Sequence, residues 1–296
     1  MDTPAQREVQ DPLPACHAVE LRFALAAWSN AHFDNALYPL GTKHAEHLPR
    51  YASLFGCAEA DTLHHKMPDA EALAEWVAAT PKGFLFLPKM WKRVTHENGG
   101  TAAAEAWLDA LAPLADAGKL GPILLQYPPQ FTREAGWDRM MELLALRPPG
   151  TFAVEVRHSS WFVPAFRERL EDLETPLVWS THPKAFTPPW ATAATGFVRF
   201  TGTQMETRGR YIKVLDRTAD LLEIRKRLAQ ASWKDTFVVV TNPFEGNAVD
   251  SMATIAAALG DETFAKRVRR GPGEVLFPDA PKPGTKLVKQ SRLAQE

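Results

Sequence analysis

Cysteine is scarce in this chain of 296 residues, with Cys16 and Cys57 as its two members. Two cysteines outside a CxxC pair do not provide the disulfide framework of a secreted domain, and they suit a reducing compartment. The first twenty residues lack an apolar core, so they predict no signal peptide. No apolar run reaches the roughly 18 residues that a transmembrane helix needs. We therefore expect a cytoplasmic protein without a membrane partner.

An excess of charge of one sign is also missing. Lys and Arg total 34 against 35 Asp and Glu, which gives a formal net charge of −1. That balance excludes a globally basic nucleic-acid binder and leaves open a local basic patch. Hydrophobic residues make up 45% of the chain and charged residues 23%, so disorder throughout is excluded and a globular fold is expected.

Several catalytic and nucleotide-binding motifs are absent from the sequence. There is no GxGxxG after the first predicted strand and no GxxxxGK[ST], so neither a dinucleotide-binding fold nor a P-loop is favoured. The GxSxG elbow of serine hydrolases and the HExxH motif of zinc proteases are missing as well. No internal repeat is visible.

Short apolar runs alternate along the chain with longer amphipathic or alanine-rich segments. The runs have the usual length of strands and mostly lack polar alternation, as expected of parallel strands buried on both faces. They are residues 21–27, 57–61, 84–88, 122–126, 152–156, 176–180, 196–200 and 237–241. Helices are predicted over 69–79, 101–115, 137–145, 164–173, 218–231 and 250–259. The pattern predicts an α/β fold, a single (β/α)₈ TIM-barrel-like domain, with an open doubly wound sheet as the alternative.

The two ends differ from the body of the chain. Residues 1–18 predict a flexible lead, and residues 19–265 are assigned to the barrel domain. Residues 266–296 carry eight Lys and Arg against three Asp and Glu, with Pro and Gly between them. We interpret this segment as a solvated basic tail, with contact to a polyanion such as nucleic acid as the alternative.

Polar side chains collect where the predicted strands end, which is the edge of a (β/α)₈ barrel that carries functional groups. Substrate binding is assigned to Trp28, Ser29, Lys89, Gln126, Arg157, Trp161, Arg199 and Asn242. The cationic members supply charge and hydrogen-bond donors, and the amides supply neutral hydrogen bonds. Trp28 and Trp161 would form an aromatic wall, or would instead pack in the core. The sequence therefore predicts a pocket for a small polar or anionic ligand.

Two glutamates are the candidates for acid/base catalysis. Glu59 and Glu155 would hold different protonation states if one is shielded and the other is paired, and His96 or His158 would orient groups or move a proton. Structural roles compete with these catalytic roles. Glu155 shares a strand face with Arg157 and predicts an ion pair.

Glu59 shares a strand face with Asp61, and two carboxylates on a buried strand need partners. The cations expected to reach them across the barrel are Lys89 and Arg199.

A divalent metal is a further alternative that the sequence does not favour, and the cofactor stays unassigned. Its candidate ligands are Asp61, His64 and His182, since carboxylate and imidazole suit zinc, manganese or iron. No tight ligand motif joins them, so a metal-free pocket is the preferred hypothesis.

Seven segments, in order, resemble the YecE-like family, a TIM-barrel-like domain of unknown function. They are AAWSN with ALYP, YASLFGCAEADTLHHKMP, TPKGFLFLPKMWKRVTHE, LGPILLQYPPQF, FAVEVRHSSWF, GFVRFTG and VVVTNPFEGNAVDSM, and they span about residues 21–259. The resemblance implies the barrel and a pocket that includes the matching positions. These are Trp28, Ser29, Glu59, Lys89, Thr95, His96, Gln126, Pro128, Glu155, Arg157, His158, Trp161, Arg199, Gly202 and Asn242. It implies no particular reaction.

Five presumed pocket positions depart from the family pattern. Ala26-Ala27 replaces its Gly-rich start, Asp61 its Asn, and His64-His65 its aromatic pair. Thr201 replaces a His, and Pro243 replaces a second Asn. These departures indicate a different ligand or a lost activity.

The leading hypothesis is an enzyme that acts on a sugar, a sugar phosphate or a phosphoester by carboxylate acid/base chemistry. A second hypothesis is a nucleic-acid-binding or repair-associated protein that processes phosphodiesters and uses the basic tail. A third is a barrel that binds a ligand without catalysis.

Overall fold

Helices separate most of the strands along the described chain, and every strand pair is parallel. The computed structural model describes residues 19–30, 33–34, 36–203 and 213–269. The strands are β1 Glu20–Leu25, β2 Cys57–Ala60, β3 Leu85–Pro88, β4 Ile123–Gln126, β5 Phe152–Glu155, β6 Trp179–Ser180, β7 Thr195–Phe200 and β8 Asp235–Val240. Each coincides with a predicted run, to within a few residues at its ends.

The helices pack on the outside of these strands. They are α1 His44–Leu54, α2 Ala70–Ala78, α3 Lys92–Thr95, α4 Gly100–Asp109, α5 Ala112–Asp116, α6 Arg133–Leu144, α7 Pro164–Asp172, α8 Thr218–Leu228, α9 Ala248–Ala258 and α10 Glu262–Arg269. None of the helices in these ranges is long and apolar enough to cross a membrane.

The strands follow one another in space in the order of the chain, and the first pairs with the last. Continuous ladders join β1–β8–β7–β6, β2–β3 and β4–β5. Between the last two ladders, Met90 N–H donates to Leu124 C=O, and Val154 bonds to Pro176 and Val178 ahead of β6. A first strand paired with the last does not occur in an open doubly wound sheet. The predicted TIM-barrel-like fold is thereby confirmed.

A tyrosine hydroxyl connects β1 to β2. No backbone ladder joins these two strands within the described ranges. Instead, the hydroxyl of Tyr51 on α1 accepts from Leu25 N–H at 2.8 Å and donates to Cys57 C=O at 3.1 Å. Tyr51 is fully buried, so the phenol satisfies two backbone groups that have no access to water.

The helix predicted over 101–115 is two helices, because the structure ends α4 at Asp109 and begins α5 at Ala112. Pro113 lies in the first turn of α5. A continuous helix would place its ring against the carbonyl of Asp109 and would lose one backbone hydrogen bond, so the chain breaks there.

Helices α1, α3 and α10 were not predicted. Pro49 lies inside α1, and an interior proline argues against a helix in the sequence. Helix α10 crosses residue 265, the boundary expected between the barrel and the basic tail, and it buries Ala265 and Val268. The first four residues of that expected tail are thus part of a packed helix. Residues 270–296, like the expected lead over 1–18, lie outside the described residues.

Candidate functional site

Side chains point alternately into and out of the barrel along each strand, so the inward-facing side chains form layers. A mostly polar layer lies next to an apolar one, on the side of the carboxyl ends of the strands. The apolar interior consists of Ala24, Cys57, Leu87, Leu124, Ala153, Val178, Phe197, Phe237 and Val239. Two residues further along each strand, the side chain returns to the same face. The positions reached this way are Ala26, Glu59, Lys89, Gln126, Glu155, Ser180, Arg199 and Thr241. They form the floor of a site at the carboxyl ends of the strands.

Arg199 is the centre of a buried ion-pair chain that runs Glu59–Arg199–Glu155–Arg157. Its guanidinium donates to both oxygens of Glu59, at 2.8 and 2.6 Å, and to Glu155 Oε2 at 3.1 Å. The other oxygen of Glu155 accepts from Arg157 Nε at 2.8 Å and from Ser180 Oγ at 3.4 Å. Neither glutamate has exposed surface. Two expectations are confirmed, the ion pair of Glu155 with Arg157 and the bond from Arg199 to Glu59.

The charges of this buried ion-pair chain determine the protonation state of its side chains. Burial acts to raise the pKa of Glu155, but the nearby Arg157 and Arg199 outweigh it and hold that pKa at about 2. Burial acts to lower the pKa of Arg199, and Glu59 and Glu155 together raise it above its ordinary value. Glu155 therefore remains a carboxylate at neutral pH and holds no proton that it could donate to a substrate.

A second ion pair lies nearer to the cavity. Lys89 Nζ donates to Asp61 Oδ1 at 2.9 Å, as the sequence led us to expect. Burial acts to raise the pKa of Asp61, but the charge and hydrogen bond of Lys89, together with the charge of Arg199, outweigh burial and lower that pKa below its ordinary value. The Asp61 side chain keeps 38% of its surface exposed, whereas both glutamates are fully covered. Asp61 is thus the more accessible carboxylate.

Two neutral histidines stand beside Lys89. The rings of His64 and His96 lie 5.0 Å apart, and burial together with the charge of Lys89 lowers the pKa of each to about 4. His64 Nδ1 lies 2.6 Å from the carbonyl oxygen of Met90. Because that oxygen can only accept, Nδ1 donates, and Nε2 carries a lone pair.

The mouth of the barrel encloses a cavity of about 570 Å³. Its charged lining consists of three cations, Lys89, Arg157 and Arg199, and one carboxylate, Asp61. The rest of the lining is Ala26, Ala27, Asn30, Phe33, Gln126, His182, Thr201, Gly202, Thr203, Val240, Thr241, Asn242, Pro243 and Ala248. Positive charge therefore faces the cavity, while the two glutamates that balance it lie underneath.

Three other predicted residues reach the lining. Gln126 donates from Nε2 to the Tyr127 carbonyl at 2.8 Å, and Asn242 Oδ1 accepts from the backbone N–H of Ala248 at 3.0 Å. His182 Nδ1 accepts from the backbone N–H of Lys184 at 3.3 Å. Each amide or imidazole thus has one edge fixed by the backbone, which orients the remainder of the side chain in the cavity wall.

The two predicted tryptophans pack in the core, which was the alternative left open for them. Trp161 has no exposed surface, donates from Nε1 to the Phe131 carbonyl at 2.7 Å, and stacks on the Phe131 ring at 5.3 Å. Trp28 is buried edge-on against Trp76 and Phe86, at 4.6 and 5.7 Å. Neither ring lines the cavity, so the aromatic wall expected from them is replaced by packing.

Ser29 and His158 bond to neighbours and do not line the cavity within the described residues. Ser29 Oγ lies 2.9 Å from His47 Nδ1. His158 Nδ1 accepts from Ser160 N–H at 3.2 Å and caps the turn Ser159–Trp161.

The metal-ligand candidates are engaged separately. Asp61 binds Lys89, His64 bonds to a backbone carbonyl, and His182 lies in the cavity wall. Among the described residues, no group of three or more His, Cys, Asp and Glu side chains could hold a metal ion.

Sequence reasoning assigned no role to the threonines of the cavity, although Thr201 was among the presumed pocket positions. Thr241 Oγ1 donates to Thr201 Oγ1 at 3.0 Å, and both line the cavity. The signal was available, since Thr201 lies two positions beyond Arg199 and Thr241 two beyond Val239 on inward-facing strand positions.

The fold and its polar mouth define a TIM-barrel-like α/β protein with a small-molecule-sized site at the carboxyl ends of its strands. A family model described as "Protein of unknown function DUF72" matches residues 22–273, and the chain belongs to that family. The YecE-like resemblance is thus confirmed.

Three known proteins are similar to this chain, one in sequence and two in structure. UPF0759 protein YunF of Bacillus subtilis is 29% identical over 155 residues, which cover 49% of this chain and 53% of that protein. The chain thus matches about half the length of that curated relative. A DUF72 family protein from Thermotoga maritima superposes with a TM-score of 0.67 at 22% identity, over 83% of this chain and 99% of that one. One from Enterococcus faecalis gives 0.62 at 22% identity, over 82% and 98%. At these identities the solved structures show the fold alone.

Proposed function

We propose that this protein is an enzyme that binds a small polar substrate through an anionic group at the mouth of the barrel. The observation that carries the proposal is the layering of charge. Lys89, Arg157 and Arg199 line the cavity, whereas Glu59 and Glu155 lie beneath them with no exposed surface. Fixed donors above buried counter-charges form a preorganised site for an anion.

The hydrogen-bond capacity of the cations supports this proposal. Arg157 uses Nε for Glu155, and its Nη1 and Nη2 atoms have no partner among the described residues. Lys89 uses one N–H for Asp61, which leaves two N–H groups. The cavity volume of about 570 Å³ lies within the usual range of small-molecule sites.

Asp61 is proposed as the proton-transfer carboxylate in place of Glu59 and Glu155. A catalytic base must come within hydrogen-bond reach of its substrate, and Asp61 is the carboxylate on the described cavity lining. Its lowered pKa keeps it ionised at neutral pH, and Lys89 orients it through Oδ1. Glu59 and Glu155 hold Arg199 and Arg157 in position.

Calorimetric titration of the full chain tests the binding step. Inorganic phosphate or malonate is expected to bind, and neutral glycerol at the same concentration is not. Arg157→Met should weaken anion binding about tenfold, because charged hydrogen bonds are lost. Arg167→Met is the matched control, since Arg167 binds Glu171 Oε1 through Nε at 2.7 Å on the surface of α7. Equal affinity in both variants and the wild type would refute the proposed site.

Turnover distinguishes an enzyme from a binding protein. Product formation is followed by NMR with a panel of phosphorylated and carboxylated sugars. Asp61→Asn should abolish turnover and retain anion binding. Anion binding without turnover across the panel would instead support the non-catalytic barrel.

A nucleic-acid-binding or repair-associated role is the second candidate, supported by the eight Lys and Arg against three Asp and Glu in residues 266–296. A gel-shift series at two salt concentrations tests it. Binding that weakens steeply with salt and is lost on removal of residues 270–296 would support it, and absence of binding at low salt would end it.

A further inference from the structure

We infer that Lys89 is the nucleophile of this site and that it forms an imine with the carbonyl group of an aldehyde or ketone substrate. This inference rests on the proposed function, because the carbonyl compound enters the same cavity and is held there by its anionic group. It gives Lys89 a covalent role in place of simple anion binding. Three observations support it: the position of the amine at the cavity, its unused hydrogen-bond capacity, and the carboxylate beside it.

Lys89 lies where an amine can reach a bound substrate. It directly follows β3 and continues the inward face on which Leu87 packs in the apolar interior. Its side chain is largely covered by protein, yet it lines the cavity at the mouth of the barrel. The Nζ atom binds Asp61, which lines the same cavity, so the reactive end of the side chain is at the cavity as well.

A second buried lysine shows how this protein holds a structural ammonium group. Lys119 Nζ donates to Val77 C=O at 2.8 Å, to Thr80 C=O at 2.6 Å and to Thr80 Oγ1 at 2.7 Å, so all three of its N–H bonds are used. Lys89 Nζ has one partner within the described ranges, Asp61 Oδ1 at 2.9 Å. Its other two N–H groups are therefore available to a molecule in the cavity.

Asp61 supplies the proton acceptor that imine formation needs. A lysine attacks a carbonyl carbon as the free amine, so its ammonium group must first give up a proton. The Asp61 oxygen 2.9 Å from Nζ is in position to accept that proton. The pKa of Asp61 lies below its ordinary value, so this side chain is a carboxylate at neutral pH.

The step balances without a further reactant. Asp61 accepts one proton from the Lys89 ammonium group, and the nitrogen lone pair forms a bond to the carbonyl carbon, whose π electrons move to the oxygen. That oxygen receives the proton from Asp61 and a second proton from the nitrogen, and it leaves as water while the C=N bond forms. The products are one water molecule, a protonated imine at Lys89 and the regenerated Asp61 carboxylate.

Arg157 is the residue that would hold the anionic group of the same substrate. Its Nε binds Glu155, while Nη1 and Nη2 have no partner among the residues that the structure describes. Apart from burial, the charges of Lys89 and Arg157 each lower the pKa values of His96 and Glu155, so both cations lie within electrostatic reach of the same two groups. A small substrate can therefore place its anionic group at Arg157 and its carbonyl group at Lys89.

Reductive trapping on the full chain tests the inference directly. Glyoxylate at neutral pH is the probe, and sodium cyanoborohydride adds hydride to the imine carbon and leaves a stable secondary amine. Peptide mass spectrometry then gives the rate of modification at each lysine. Lys89 should be modified about tenfold faster than exposed lysines, although its own side chain is 11% exposed.

Two exposed lysines are matched controls, because each also pairs with a carboxylate. Lys92 binds Glu97 at 3.2 Å with 45% of its side-chain surface exposed. Lys213 binds Glu245 at 3.0 Å with 44% exposed. Modification that follows exposure, with Lys89 slower than Lys92 and Lys213, would overturn the inference.

Two variants separate the nucleophile from the proton acceptor, and thermal melting confirms that each folds. Lys89→Arg keeps a positive charge beside Asp61 but has no amine, so the preferred site should disappear while the slow modification of Lys92 and Lys213 is unchanged. Asp61→Asn should slow modification of Lys89 about tenfold, because an amide does not serve as the base. An unchanged rate in Asp61→Asn would overturn the role given to Asp61.

Glycolaldehyde distinguishes this inference from the proposed function, since it has a hydroxymethyl group where glyoxylate has its carboxylate. Rates at Lys89 are divided by those at Lys92 to correct for the intrinsic reactivity of each probe. Faster modification by glyoxylate, with the advantage lost in Arg157→Met, would support both. Equal rates would leave the nucleophile in place and count against the anion site. If neither probe prefers Lys89 while phosphate or malonate binds in calorimetry, the imine fails and the anion site stands.

Discussion

The guanidinium group of Arg199 on β7 reaches across the barrel and binds both carboxylate oxygens of Glu59 on β2, at 2.6 and 2.8 Å. These residues are 140 positions apart in the sequence, and neither is accessible to solvent to any useful extent. Such a buried pair contributes little net stability compared with an apolar pair. Its geometry nevertheless fixes the position of β2 relative to β7 along the barrel axis. Removing one member leaves an uncompensated buried charge.

Arg199→Met should therefore destabilise the protein strongly. The variant leaves Glu59 without its bidentate partner and removes one of the two arginines that bind Glu155. We expect the free energy of unfolding in urea to fall by about 3–5 kcal/mol. The double variant Glu59→Gln/Arg199→Met should recover part of that loss, since it removes the stranded charge. A loss below about 1 kcal/mol for Arg199→Met would contradict a buried, essential counter-charge.

Acid should weaken the fold through Glu155. Its pKa is about 2 in the folded protein against an ordinary value of 4.5. Stability from this shift is present above about pH 4.5 and is lost as the pH falls towards 2, by an amount on the order of 3 kcal/mol. The check is urea unfolding from pH 5 to 2.5, with Glu155→Gln beside the wild type. The difference in unfolding free energy should shrink as the pH falls, and a constant difference would refute the prediction.

Tyr51→Phe should loosen the connection between β1 and β2. The variant leaves Leu25 N–H and Cys57 C=O buried without their partner, which costs about 1–3 kcal/mol. Hydrogen exchange at the Leu25 amide should accelerate. Tyr127→Phe is the matched control, because the Tyr127 hydroxyl is also buried and bonds to nothing among the described residues. Tyr127→Phe should be neutral or slightly stabilising, and equal losses in the two variants would contradict the bridging role of Tyr51.

Gly196→Ala should be destabilising because β7 passes close to an indole ring. A Cβ atom at this position would lie 2.2 Å from Trp233 Cε3 and 2.6 Å from Thr236 Oγ1. Overpacking of this kind costs about 1–3 kcal/mol. Gly150→Ala, whose Cβ would approach no atom closer than 3.5 Å, should change little in the same thermal-melting assay. Equal melting temperatures for the two variants would mean that the ring moves aside freely.

The periodicity of two was enough to predict much of this site from sequence. It placed Glu155 and Arg157 on one face, and the structure pairs them. It did not show how far each side chain lies from the cavity, because Glu59, beneath the cavity, and Asp61, on its wall, both occupy inward-facing positions of one predicted strand. That is why the acid/base role is assigned to Glu59 and Glu155 from the sequence, whereas Asp61 is the carboxylate on the described part of the cavity lining.

Trp161 and helix α1 show which features depend on tertiary packing and therefore could not be predicted from the sequence. Trp161 follows a strand end, as a ligand-binding residue would, and its burial depends on Phe131, which lies thirty positions away in the sequence. Helix α1 was missed because its interior Pro49 has a helix-breaking propensity that tertiary packing overrides.

Two roles fall to different layers of side chains in this barrel. The buried ion-pair chain holds the strands in register, and the residues of the cavity wall are those available for recognition. Four of the five departures from the family pattern place residues on the cavity wall: Ala26 with Ala27, Asp61, Thr201 and Pro243. Glu59 and Glu155 lie below that wall and pair with Arg199, which forms part of the cavity lining. A lineage could therefore change what it recognises by exchanging wall residues, without having to rebalance the interior electrostatics that hold the strands in register.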